Sequence, residues 1–148
     1  MASGKGNYNS IGFLELIFQA VISTAYATLA LNATSGPATN LYVSLHTANP
    51  GASGNQTTSE AAYTSYARVA VVRTTSGWAI SGEIISNVGV ITFPTATGGS
   101  ETETYVGVGL SSSGTGQLLW FGSLTTPLAV SNGITPAFAI GQLAVTES

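Results

Sequence analysis

From Leu41 to the C-terminus, this chain of 148 residues alternates apolar and polar side chains with a period of two, broken by clusters of glycine, proline and asparagine. A period of two puts successive side chains on opposite faces of a strand, so the pattern restricts the region to short β-strands joined by turns. Leu41, Val43 and Leu45 alternate with Tyr42, Ser44 and His46, and Asn49-Pro50-Gly51 closes this strand. Residues 49–65 then form a polar loop of Ser, Thr, Asn and Gln, longer than ordinary connections. Further strands are expected at Tyr66–Thr74, Trp78–Ile85, Val88–Phe93, Thr104–Leu110 and Gln117–Leu124. Asn132-Gly133 predicts a hairpin that joins Leu128–Ser131 to a last strand over Ile134–Val145. About eight short strands with regular turn signals predict a mainly β domain over residues 38–148, an antiparallel β-sandwich of jelly-roll type.

The N-terminal region follows a different period. Residues 1–10 are rich in Gly, Ser and Asn and read as a flexible arm. Residues 11–31 are strongly apolar and free of proline, with Asn9 or Ser10 as the cap, and so predict one N-terminal helix. Gly12, Glu15, Gln19 and Ser23 share a narrow polar stripe, and the rest of the circumference is apolar. The length suits a membrane span, and Ala25-Tyr26-Ala27 resembles a signal cleavage site. The polar stripe and the β-rich remainder favour instead a helix buried against its own body and a second chain, with no membrane partner. Phe13, Leu14, Ile17, Phe18, Val21 and Ile22, together with Lys5 and Tyr8 of the arm, are the expected interface residues.

Composition narrows the function. Charged residues make up only 6% of the chain, against about 25% in average soluble domains. There is no cysteine or aspartate and a single histidine. Cysteine nucleophiles, disulfide frameworks, Cys/His zinc sites and Ser-His-Asp triads therefore lack material, and no catalytic residue, cofactor or metal is expected. Three basic residues and a net charge of −3 argue against a nucleic-acid partner. A free monomer would gain solubility from more charge, so the shortage points to a surface meant to be covered.

Several residues invite a chemical reading. His46 has no second histidine or cysteine with which to share a metal, and is expected to be structural. Glu101 and Glu103 would share a strand face like a glycosidase pair, but their turn-like setting favours a solvated strand edge. Gly107-Val108-Gly109 and Gly114-Thr115-Gly116 lack the full spacing of a phosphate-binding loop and read as strand and turn glycines. Asn32-Ala33-Thr34 and Asn55-Gln56-Thr57 match the short glycosylation sequon. Arg68 and Arg73 fall on opposite faces of a strand, each able to pair with a glutamate. Tyr63, Tyr66, Trp78, Trp120 and Phe121 could line a sugar cleft, but more readily fill a core or an interface.

The segment from Leu41 to Gly51 (LYVSLHTANPG) resembles a family of small tailed-bacteriophage virion proteins, described as tail-fibre-like or as capsid cement proteins. Further segments match in order: Tyr66–Val71 (YARVAV), Ser86–Thr97 (SNVGVITFPTAT), Leu118–Pro127 (LLWFGSLTTP) and Gly141–Thr146 (GQLAVT). The resemblance implies a non-enzymatic β-sandwich virion component that works as an oligomer. On this basis the leading expectation is a capsid cement or decoration protein. It would sit on the capsid exterior after assembly in the host cytoplasm, bind the major capsid protein and bridge its subunits, and associate with itself as a homodimer or a trimer. A tail or tail-fibre component is the alternative, and a carbohydrate-binding β-sandwich module is a second.

Overall fold

The computed structural model describes residues 7–21 and 38–146, with side chains from residue 11 onward. The fold is mainly β and antiparallel, with nine strands and one short helix among the described residues. The chain divides into two compact units.

Of the described residues, the first unit takes in 7–21, 38–39, 72–90 and 139–146. Helix α1 spans Asn7–Gln19, so it begins earlier than the expected 11–31 and takes residues 7–10 out of the expected arm. It ends at Gln19 because Ala20 adopts a left-handed φ of 56°, a C-terminal closure usually left to glycine. The Val21 N–H turns back to the Glu15 carbonyl at 3.1 Å. The helix has no basic residue in its own last turn. Arg73 supplies that charge from elsewhere, donating from Nε to the Ile17 carbonyl and from an Nη to that of Leu16, where a cation also suits the helix dipole. Residues 22–31 of the expected helix lie outside the described residues. No helix among the described residues is long and apolar enough to cross a membrane.

Strands β3 (Trp78–Ser81), β4 (Ile84–Asn87) and β9 (Ala144–Thr146) form a sheet in the order β3-β4-β9. The single strand expected over Trp78–Ile85 is a hairpin, because Gly82 has a φ of 62° and turns the chain between Ser81 and Ile84. Leu14, Phe18, Trp78 and Ile85 are fully buried in this unit, with Phe18 edge-on to Trp78 at 4.7 Å. Asn87 is almost fully buried yet satisfied: its amide donates to the Gly89 and Ala139 carbonyls, and its oxygen accepts the Leu143 N–H.

The second unit comprises residues 40–71 and 91–138. Its four-stranded sheet runs β2 (Val69–Val72), β1 (Asn40–His46), β6 (Ser100–Gly109), β7 (Leu118–Ser131), and β5 (Ile91–Thr92) pairs with β8 (Ala137–Phe138). Leu41, Val43, Leu45, Tyr63, Phe93, Val108 and Val130 make its core. The two strands expected around residues 117–131 are one long strand. Opposite the single Thr104 of β6 it carries four residues, 124–127, between pairs Tyr105↔Ser123 and Glu103↔Leu128.

The Asn132-Gly133 turn exists, with the Ile134 N–H reaching the Ser131 carbonyl at 2.9 Å, but no hairpin follows it. Only Gly133 has positive φ (89°), whereas the type I′ hairpin turn needs it at both central residues. The chain beyond therefore leaves β7, and β8 pairs with β5 while β9 pairs with β4.

Candidate functional site

The polar loop after β1 is held in place from beneath, and Arg68 is the residue that holds it. Its side chain is 2% exposed and meets Glu60 side-on, Nε to Oε1 at 2.6 Å and an Nη to Oε2 at 2.8 Å. The remaining guanidinium donors reach the carbonyls of Ser111 (2.9 Å) and Gly114 (2.7 Å). One side chain thus ties loop 47–65 to the turn after β6. The Tyr66 hydroxyl donates to Glu60 Oε1 and accepts the Leu45 N–H, both at 3.1 Å. Burial raises the Tyr66 phenol well above its usual range.

His46 completes this network. Its Nδ1 lies 2.9 Å from the Thr58 carbonyl, which only accepts, so Nδ1 carries the proton and Nε2 accepts from the Ser44 hydroxyl at 2.9 Å. Burial, opposed by the Thr58 bond, pushes the imidazole below its ordinary pKa. Gly107 makes the room: a Cβ there would meet Leu118, His46 and Ser44 at 2.6–2.8 Å.

Gln56, fully buried, accepts the Ser111 N–H at 2.9 Å and packs where Gly109 and Gly116 leave space. A cleft of about 410 Å³ opens beside it, between Gly54-Asn55 and residues 115–119. Amide, hydroxyl and backbone groups and two leucines line it, with no ionisable side chain. It can offer hydrogen bonds and apolar contact, but holds no base to activate a nucleophile. Among the described residues no group of three or more His, Cys, Asp or Glu could hold a metal ion.

On β6, Glu101 Oε1 accepts the backbone N–H groups of Ala62 (2.8 Å) and Tyr63 (2.7 Å). Glu103 is fully buried, and neither of its oxygens meets a hydrogen-bond donor. Burial, and then the neighbouring Glu101 carboxyl, push Glu103 up to about 8. The expected solvated strand edge is therefore corrected: both glutamates pair across β6–β7 with the half-buried or buried Leu128 and Val130.

Among the described residues, strand β7 forms one edge of its sheet. It runs for 14 residues without a charged side chain, although charges, lysine above all, are the usual means of blunting an edge. Phe121 is 39% exposed along it.

A protein-family model described as podophage GP4 fiber I protein gp80 matches residues 18–146. The chain belongs to this family. The match to the gp80 fiber family takes in all nine strands and begins near the end of α1. It bears out the resemblance to phage virion structural proteins, and it favours the tail-fibre alternative over the capsid-cement expectation. The gp80 family is one of structural, virion-associated fiber proteins. A search of the curated proteins found no match.

Within this member of the gp80 fiber family, the expected interface residues with described side chains differ in exposure. Leu14 and Phe18 are fully buried in the first unit, because α1 turns them toward Trp78 and its neighbours. Phe13 and Ile17 are half-buried, and Val21 is 47% exposed. Lys5 and Ile22 lie outside the described residues, and Tyr8 is described in its backbone alone. Of the aromatic set, Trp78 is buried in the first unit, and in the second Tyr63 and Tyr66 pack edge-on at 5.3 Å while Trp120 and Phe121 lie on β7. Arg68 pairs with a glutamate, and Arg73 serves the end of α1. Glu60 and Gln56 escaped the sequence reading. For Gln56 the signal was Gly109 and Gly116, which leave it room, since a glycine in or beside a strand often marks a close approach; no such signal marks Glu60.

Proposed function

We propose that this chain is a non-catalytic structural component of a podophage tail fibre and assembles with further copies of itself through β7. The family match over residues 18–146 carries the reading. The length and lack of charge of β7 support it, because an open edge is satisfied by another strand and, outside the 124–127 irregularity with Pro127, this one carries no charge to repel a copy. The buried Arg68 network fixes the loops at one end of the same sheet, so that the contact surface is preorganised before assembly.

Quantitative mass spectrometry of purified particles tests the placement. A handful of copies per virion, with antibody label at the tail, is the expected result. Hundreds of copies would return the reading to a capsid cement bound to the major capsid protein. Sedimentation of the isolated chain tests the self-contact: Phe121→Lys or Ser123→Lys on β7 should dissociate an oligomer that the unmodified chain forms, and a chain monomeric at all concentrations would remove β7 from this role.

A further inference from the structure

Glu101 and Glu103 sit two apart on β6 and so share one face of the sheet. Glu101 is well supplied with donors, holding the N–H groups of Ala62 and Tyr63 through one oxygen. Glu103 has no exposure and no donor at either oxygen. The groups around it cannot supply one. Tyr63 is itself buried and donates its hydroxyl to the Pro94 carbonyl at 3.0 Å. Strand β7 presents Leu128 and Val130. At the end of β1, His46 is committed to Thr58 and Ser44, and Glu60 to Arg68 and Tyr66. Tyr105 is the other titratable residue on β6. Among the described residues no cation is paired with the Glu103 carboxyl, and the charged group that acts on it is Glu101.

A buried carboxylate without a donor or counter-charge is untenable beside a second carboxylate. A proton on Glu103 resolves both problems, because the acid then donates to Glu101 and leaves Glu101 free to keep its two backbone bonds. We infer that Glu101 and Glu103 form a proton-binding site that holds one proton between them at neutral pH, and that this proton latches segment 62–63 to β6. Removing it places two negative charges side by side in a dry site, and the latch opens where loop 47–65 returns to the strands. The site is thus an alkaline-sensitive switch in the fold.

Two measurements test this. In the unmodified chain labelled with carboxyl-¹³C glutamate, one of the six glutamates should titrate far above the ordinary carboxylate range; all six titrating as ordinary glutamates would overturn the proposal. Hydrogen exchange at Ala62 and Tyr63 supplies the second. Corrected for intrinsic rates, their protection should fall about tenfold or more between about pH 6 and about pH 9.5, while Glu103→Gln, which donates an amide in place of the proton, should hold it constant. Equal pH dependence in the two proteins would overturn the latch. Calcium chloride is the control for another occupant: protection restored at high pH by calcium alone would make this a cation site and overturn the proton reading.

Discussion

Arg68 and Glu60 meet side-on through two short hydrogen bonds, 2.6 and 2.8 Å, eight residues apart in sequence and largely out of solvent. Side-on pairing uses the planar fork of arginine, which lysine lacks. The pair's desolvation cost is offset by the further bonds to Ser111, Gly114 and Tyr66. Removing one partner leaves a buried charge, and Arg68→Ala should lower stability by about 3–5 kcal/mol. The double change Arg68→Met with Glu60→Leu should cost less than Arg68→Ala alone. Urea denaturation of the three proteins checks both statements.

His46 is held neutral, and its folded pKa lies below the ordinary value of 6.5. Its contribution is therefore complete above about pH 6.5 and is lost as pH falls through the depressed folded value. Glu103 behaves oppositely: its contribution is complete below its ordinary 4.5 and declines as pH rises toward about 8. Melting temperature against pH should be bell-shaped. His46→Gln should flatten the acid limb and leave the alkaline limb in place, as read by calorimetry.

Ala20 holds a φ of 56° at the end of α1, a conformation that costs a residue with a Cβ about 1–2 kcal/mol. Ala20→Gly should raise stability by up to about 1 kcal/mol, since the added freedom of the unfolded glycine takes back part of the gain. Thermal denaturation followed by circular dichroism reads the change.

Asn87 points its amide at two carbonyls. Asn87→Asp keeps the shape and replaces both donors by acceptors, so buried carbonyls then face a carboxylate. This variant should lose more stability than Asn87→Ala at pH 7, by at least about 1 kcal/mol, and the difference should shrink in acid as the aspartate protonates. Parallel melts at two pH values provide the comparison.

Strand β1 was legible because its alternation spans seven residues, enough for the period to stand out. Strands β5 and β8, two residues each, carry no period at all. The end of α1 was hidden for a different reason. Alanine is the best helix former, so nothing local announces a stop at Ala20, and the arginine that caps the helix lies more than fifty positions away. Asn132-Gly133 marked a turn correctly, but its type depends on the φ of Asn132, which the dipeptide leaves open. Glu103 misled because charges at i and i+2 usually face water. Its burial goes with the pairing to Leu128 on the neighbouring strand β7, a contact between residues far apart in sequence.

The four residues 124–127 that β7 carries opposite Thr104 divide its ladder into two separately registered halves. A short epitope tag or a fluorophore-bearing cysteine placed at Thr125 or Thr126, both exposed, would lengthen slack that the sheet already tolerates. The fold thus has a built-in insertion point that leaves the pairings with β6 on either side aligned, and because it lies on the edge proposed for self-association, the burial of a label there reports whether copies join through β7.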